Sequence, residues 1–544
     1  MRIQRAIIEN FKSIEHIDVR LRCLSLLVGS NNAGKSNIIE ALRVFLGDAK
    51  LKPTMFRNVQ GEDVQDFYIE VEYQADQPEE IEDLPEKYKL SGDRFRVRYT
   101  VVRGGNSEYR GYVLNEDGKE VLDEKAEYFG AVGRGKLGTA IHIPAIRELQ
   151  DEVKTTGTTT FGKLLKEIVS EEVKESEAYA GYVVALSQLE RHIRGGEPAG
   201  KRVDRGYGTL ADVEATLNEE LRDWNCEASI RLVPIDPSKL TATSAEIKIR
   251  EEGTAERDPD LTGQGLQRSI VNALITVWAD AVRARERRKA AKAKTATKKV
   301  FRPPATIVLF EEPEAYLAVP QQRRTFDNLR TLSSQGMQVL ASTHSPVFLE
   351  NTIDDFSSLH VTTRTPWTTV RTISPELQEL LANQKFGRTF RFHCWLNAER
   401  NAAFFADRIL LVEGATDKAV YLWLMAKHRR KLGGVTVFDC GPKHNIPHFM
   451  RLFGDFGLRH VVVHDDDHNK VTDKLDHKAL NKAIQDASNE FTVAIIPIVG
   501  DMEEFLGIAK APSYKKTTEA VLHLEQTGIS ADAEEVLLKA FEGE

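Results

Sequence analysis

The sequence predicts an α/β fold in two or three domains, and three observations predict it. An apolar strand, Leu24-Ser25-Leu26-Leu27-Val28, runs straight into Gly29-Ser30-Asn31-Asn32-Ala33-Gly34-Lys35-Ser36 and then a helix starting Ile38-Ile39-Glu40-Ala41-Leu42. Two later apolar strands, 306–310 and 339–343, end in carboxylates and in a histidine. A second set, 409–412 and 461–463, ends in carboxylates again. Apolar strands interleaved with helical patterns are the mark of α/β architecture.

The chain of 544 residues exceeds what one hydrophobic core organises. Its 41% hydrophobic and 29% charged residues are ordinary for a globular protein. No run of 18 apolar residues occurs, so no membrane span is expected, and Met1-Arg2-Ile3-Gln4 lacks the apolar core of a signal peptide. Cys23, Cys226, Cys394 and Cys440 lie far apart without metal-ligand spacing, which argues against a disulfide scaffold or structural zinc and fits a cytoplasmic protein. A net charge of -8 supplies no overall field for nucleic acid, so phosphate contact would have to come from local basic patches and bound divalent metal.

Taken in order, 7–14 and 24–28 read as strands. The eight residues from Gly29 to Ser36 fit the phosphate-loop pattern, in which glycines let successive backbone N–H groups curl round phosphates. Lys35 can reach the outer phosphates, Ser36 can ligate magnesium, and the helix that begins here directs its positive end at the anion. Asn32, Gly34, Lys35 and Ser36 are therefore the nucleotide-binding candidates. Residues 66–75 and 94–103 alternate as half-solvated strands, separated by a loop rich in acid, proline and glycine. Gln60 either faces the nucleotide's magnesium or is an exposed loop residue. His142, in a strand that stops at Pro144, is expected to be a packed or surface histidine rather than a ligand.

Residues 161–193 have helical periodicity and form either a partner surface or a locally packed subdomain; glycines at 195, 196, 200, 206 and 208 mark the return. In Leu261-Thr262-Gly263-Gln264-Gly265-Leu266, small residues before a helix expose backbone N–H groups. The stretch 283–301 is nearly all Arg, Lys and Ala, and is either a contact for a phosphate backbone or a solvated arm. The strand at 306–310 ends in Glu311 and Glu312, as magnesium coordination and water activation beside a phosphate loop require. The strand ending at Thr343 delivers His344.

In the C-terminal part, Ile409 to Val412 delivers Glu413, then Gly414, then Asp417 one helical turn on, so both acids can point at one spot. Paired carboxylates repel unless a cation lies between them. Val461-Val462-Val463-His464 leads to Asp465 and Asp467, spaced two apart.

The first group of motifs resembles the ATP-binding-cassette ATPases of chromosome-maintenance and recombination proteins. That resemblance implies that Lys35 and Ser36 form the Walker A site and that Gly263-Gln264-Gly265 is a signature element completing a partner subunit's ATP site. It makes Glu312 the catalytic base and His344 the switch histidine. The family usually has Asp before the catalytic Glu; here Glu311 is one methylene longer, which points to altered magnesium geometry and weak hydrolysis. The second group, Glu413, Asp417, Asp465 and Asp467, resembles the Rossmann-like Toprim fold of topoisomerases, primases and related nucleases. A cassette ATPase followed by Toprim resembles the OLD (overcoming lysogenization defect) family of nucleases, which includes the nuclease subunit of the Gabija antiphage system.

The resemblance implies an ATPase domain over 1–380, with a helical dimerisation insert at 148–205. A linker at 381–404 and a Toprim nuclease domain over 405–544 would follow. It implies ATP with Mg2+, and Mg2+ or Mn2+ at the Toprim acids, where two ions would hold both sides of an in-line phosphoryl transfer. A further acid is expected after the strand at 491–496, with Glu503 preferred over Glu504. A late lysine should offset charge on the attacked phosphate, chosen among Lys510, Lys515, Lys516 and Lys539. Lys443 or His444 is placed to touch DNA, or else Asn445 caps a helix there; His464 and His468 are not required by the metals. The function implied is an ATP-regulated, divalent-metal-dependent DNA endonuclease of antiphage defence. It would act on DNA as a homodimer or higher oligomer, with a helicase-like or other defence partner. The alternative is a DNA-binding ATPase or a repair or structural dimer whose Toprim domain does not cut.

Overall fold

In the computed structural model the described residues are 1–132, 137–145, 210–233, 244–271, 273–277, 305–349, 356–382, 398–428, 434–467, 476–508, 512 and 515–542. The helical stretch expected at 148–205, the basic run at 283–301, His468 and Lys510 lie outside them. Two units are distinguished. The first comprises Met1–Lys12, Arg20–Leu24 and Ser36–Ser342; the second comprises Ser13–Val19, Ser25–Lys35 and Thr343–Glu544.

The first unit contains an antiparallel run of β1 (Arg2–Phe11), β2 (Asp66–Gln74), β3 (Arg94–Val102) and β4 (Ser107–Leu114). Alternation puts Phe95, Val97, Tyr99 and Val101 of β3 inside. Arg94, Arg96 and Arg98 on the opposite face pair with Glu72 and Glu70 of β2 at 2.9, 3.3 and 2.9 Å. These cross-strand pairs fix the register from the polar side. The strand expected over 7–14 stops at Phe11, because Asn10 and Lys12 take left-handed backbone (φ 59° and 49°). Gln60 is exposed, at φ 53°, between the short strands Asn58–Val59 and Glu62–Asp63.

The same unit holds three parallel strands, β5 (Thr139–Ile143), β6 (Thr306–Glu311) and, as far as Ser342, β7 (Gln338–Thr343). Ile307 to Phe310 and Val339 to Ala341 are buried on both faces, as strands inside a parallel sheet are.

In the second unit, Leu26–Val28 pairs in parallel with β8 (Leu359–Arg364), which continues antiparallel into β9 (Thr368–Arg371). A separate four-stranded parallel sheet follows: β10 (Arg408–Val412), β11 (Val435–Asp439), β12 (His460–Asp465) and β13 (Thr492–Ile498), in the order β11-β10-β12-β13. Its core joins Leu410 and Val412 to Val420, Tyr421 and Leu424 of α1 (Ala415–Lys427), with Leu524 of a later helix. The chain leaves β10 for β11 on one side and leaves β12 for β13 on the other. The connections therefore diverge between β10 and β12, and open parallel sheets form their ligand crevice at the carboxyl ends of such a strand pair.

Candidate metal centre

The β10–β12 crevice is where the acids gather. Glu413 is the first residue past β10; Asp465 ends β12 and Asp467 lies two residues on. One ligand atom from each of these three residues lies within 4.8 Å of the others. The strand pairing sets this: Leu411 of β10 is in register with Val462 of β12. Asp467 would continue the strand, but its backbone turns left-handed at φ 50°, a conformation that aspartate tolerates better than most residues. Its N–H donates to Gly500 O at 3.3 Å, and the Asp466 N–H donates to Ile498 O at 2.8 Å, tying both residues to the end of β13. The Glu413 carboxylate accepts the Asp465 N–H at 3.3 Å.

Asp417 is not one of the converging three. It is buried near the start of α1, where its carboxylate accepts the Gly414 N–H at 2.8 Å and so caps the helix. Burial raises its pKa to about 7, and the charges of Glu413, Glu503 and Asp439 push in the same direction. Glu503 is buried on α2 (Met502–Phe505), whereas Glu504 is exposed, so the fold separates the two neighbours. The helix is started by Asp501, whose side chain accepts the Glu504 N–H at 2.8 Å.

The sequence reading missed Asp439, although it ends an apolar strand as the other acids do. That strand-end signal was available. Asp439 accepts the Gly441 N–H at 2.7 Å and has Arg400 at 3.9 Å.

Basic groups interleave with the acids. Lys443 is buried and donates to Asp465 O and, at 3.2 Å, to Asp467 Oδ2. His477 Nδ1 lies 3.3 Å from the same Asp467 oxygen. Lys516 lies 3.2 Å from Glu503 Oε1; Lys539 is exposed on the helix Ala531–Glu542. Lys443 therefore faces inward onto the acids. Asn445 does not cap a helix through its side chain, which donates to Cys440 O at 3.0 Å. His464 is buried against the Asp465 carbonyl at 2.9 Å.

The nucleotide-motif residues fall in both units. In the first, Glu311 Oε1 lies 2.8 Å from His142 Nε2, and the Ser36 side chain also hydrogen-bonds Glu311. Burial pushes the Glu311 pKa up, but the His142 and Ser36 hydrogen bonds bring it below the usual glutamate value. Glu312 follows with left-handed backbone at φ 45°, its N–H donating to Ser342 O at 2.9 Å. Arg268, which the sequence reading passed over, donates to both the Glu311 and Glu312 carbonyls at 2.9 Å. Gly263 is exposed just before a helix, while a Cβ on Gly265 would come within 3.1 Å of Trp224 and of Tyr316 O.

In the second unit, Lys35 Nζ donates to Gly29 O and Ser30 O at 2.8 and 2.9 Å. Asn32, at φ 64°, accepts from Arg364 at 3.0 Å. Gly34 has φ 104°, and a Cβ there would come 2.1 Å from Thr368 Oγ1. Burial, then the Lys35 charge, lowers the His344 pKa to about 4, so its imidazole is neutral at pH 7. Among the described residues no helix is long and apolar enough to cross a membrane.

Comparison with known proteins gives two domain matches. Residues 1–96 match an AAA ATPase domain. Residues 404–467 match the TOPRIM domain of overcoming lysogenization defect protein-like proteins. The Old nuclease of Escherichia phage P2 is 25% identical over 506 residues, covering 88% of this chain and 80% of that protein. The OLD nuclease of Thermus scotoductus is 25% identical over 534 residues, covering 90% and 86%. Endonuclease GajA of Bacillus cereus is 22% identical over 489 residues, covering 86% and 75%.

Proposed function

We propose, on the premise that this chain is an OLD-type protein joining an AAA ATPase domain to a TOPRIM domain, that it is an ATP-regulated, divalent-metal-dependent DNA endonuclease. The observation that carries this reading is the convergence of Glu413, Asp465 and Asp467 to within 4.8 Å at a parallel-sheet crevice. Three relatives named as nucleases, one as an endonuclease, support it across three-quarters or more of their lengths.

The donor set fits a hard cation. Three carboxylates offer only oxygen, the preference of Mg2+ and Mn2+. Glu413, Asp465 and Asp467 would hold the ion, with Asp417 and Glu503 as acids of a second position. A bound ion there supplies polarisation of the phosphoryl oxygen and activation of a water. The chain's own residues do the rest. Lys443 holds one oxygen of Asp467 and balances its charge. Lys516, on Glu503, is our choice for the late lysine that offsets charge on the attacked phosphate.

The regulatory half rests on the phosphate loop. Asn32, Gly34, Lys35 and Ser36 would bind ATP with Mg2+, Glu311 would support the magnesium, Glu312 would act as base and neutral His344 would sense the outer phosphate. Gly263 and Gly265 would complete the site of a second copy in a homodimer or higher oligomer. The resemblance to the Gabija nuclease subunit extends the proposal to cytoplasmic defence against phage beside a helicase-like or other partner.

The test is nicking of supercoiled plasmid by the full chain and by Asp465→Ala, across Mg2+, Mn2+ and ATP concentrations. Cutting by the wild type alone is expected. Intact plasmid with both proteins under every condition defeats the nuclease reading. Equal cutting by both defeats the metal-site assignment.

A further inference from the structure

We propose that His142 is a positioning residue for magnesium at the nucleotide site, acting through the hydrogen bond that fixes the Glu311 carboxylate against Ser36. The inference rests on the nucleotide-binding reading of the phosphate loop and concerns residues of the first unit only.

The geometry begins with the sheet. β5 and β6 are parallel neighbours with His142 in register with Leu309, two residues short of Glu311. Across that pairing the imidazole meets the glutamate side chain at the carboxyl end of β6, with Nε2 2.8 Å from Oε1. Both groups are withdrawn from water, with 6% and 17% side-chain exposure. An ionised carboxylate only accepts, so Nε2 carries the proton and donates. Ser36, the magnesium-ligand position of the phosphate loop, bonds to the same carboxylate. The three side chains thus form one chain of hydrogen bonds, His142 to Glu311 to Ser36.

Glu311 stands where related ATPases usually have aspartate, and its extra methylene adds a torsion that something must fix. Arg268 donates to the Glu311 and Glu312 carbonyls, which holds the backbone there. His142 supplies the side-chain constraint that the longer acid needs. Groups that orient a carboxylate beside a metal change metal affinity by about 10- to 100-fold when removed.

The experiment titrates Mg2+ into the full-length protein with a fluorescent ATP analogue and reads the Mg2+ concentration at half-maximal binding. His142→Ala should raise that concentration about 10-fold or more, with nucleotide binding in EDTA unchanged. His142→Gln, whose amide can donate at similar reach, should restore much of the difference. In a Glu311→Asp background, where the shorter acid does not reach His142, the His142→Ala change should have no further effect. Wild-type Mg2+ dependence in His142→Ala overturns the inference. An equal shift in the Glu311→Asp background overturns it as well, since His142 would then act by another route. If the wild type binds no nucleotide, or Lys35→Ala binds as well as wild type, the nucleotide reading falls and this inference falls with it.

Discussion

The Lys443 ammonium lies 3.2 Å from Asp467 Oδ2, with the two side chains only 4% and 5% exposed. Asp467 in turn has a ligand atom within 4.8 Å of those of Glu413 and Asp465. A buried lysine thus serves as resident counter-ion to a cluster of acids, and its second bond, to the Asp465 carbonyl, keeps it in place.

Removing that charge should therefore matter most when no metal is present. Lys443→Met leaves Asp467 buried beside two other carboxylates, and breaking a buried pair this way costs about 3–5 kcal/mol. The melting temperature should fall by several degrees in EDTA and recover in saturating Mg2+ or Mn2+. Equal loss with and without metal would show that Lys443 contributes packing alone.

Asp417 gives a pH dependence with a definite sign. Its pKa rises from 3.8 to about 7 in the fold, so the native state holds a proton that the unfolded chain releases. Stability is greatest below pH 3.8 in this respect and is lost as pH rises through 7, by on the order of 4 kcal/mol in metal-free protein. Asp417→Asn keeps an acceptor for the Gly414 N–H and removes the loss. The variant should melt higher than wild type at pH 8 in EDTA, with the gap closing near pH 4. A gap independent of pH would contradict the assignment.

Gly34 is constrained twice, by φ 104° and by Thr368, whose hydroxyl meets Ser13 Oγ at 2.7 Å and Ala33 O at 3.1 Å. Gly34→Ala should cost about 1–3 kcal/mol through backbone strain, with more from the clash, and should abolish nucleotide binding. Thr368→Ala in the same chain should return part of the stability while binding stays lost. Thermal melts and fluorescent-nucleotide binding read the two effects separately.

Lys516 and Glu503 should separate by readout. Lys516→Ala is expected to lower plasmid nicking about 10²- to 10³-fold with Mn2+ affinity close to wild type. Glu503→Gln should weaken Mn2+ binding itself, measured calorimetrically. Their ion pair is partly exposed, so neither change should move stability much. Full nicking by Lys516→Ala would return the late-lysine role to another residue.

The two domain types, the phosphate loop and the strand-end acids were legible in the sequence, because each signal is local. An apolar strand is readable from its own residues, and an acid one step past its end needs no knowledge of neighbours. Glu413, Asp465, Asp467 and Glu311 lie at or within two residues of a strand's end, and Lys35 and Ser36 close the phosphate-loop pattern. The same signal marked Asp439, which the reading overlooked. Spacing alone put Asp417 on a face shared with Glu413; the fold turned it to the Gly414 N–H and buried it, because the helix start had a donor to satisfy. Lys443 on Asp467, Lys516 on Glu503 and His142 on Glu311 carried no local mark. Sequence separations of 24, 13 and 169 residues divide those partners, counted from their positions in the chain. Strand order in the sheets, with β5 beside β6 and β10 between β11 and β12, brings His142 to Glu311 and Lys443 to Asp467, and Lys516 meets Glu503 between two helices that follow the last strand. The sequence by itself determined that acids stand at the ends of these strands. Tertiary structure decided which bases hold them, because those choices depend on long-range sheet pairing and on burial that makes an uncompensated charge costly.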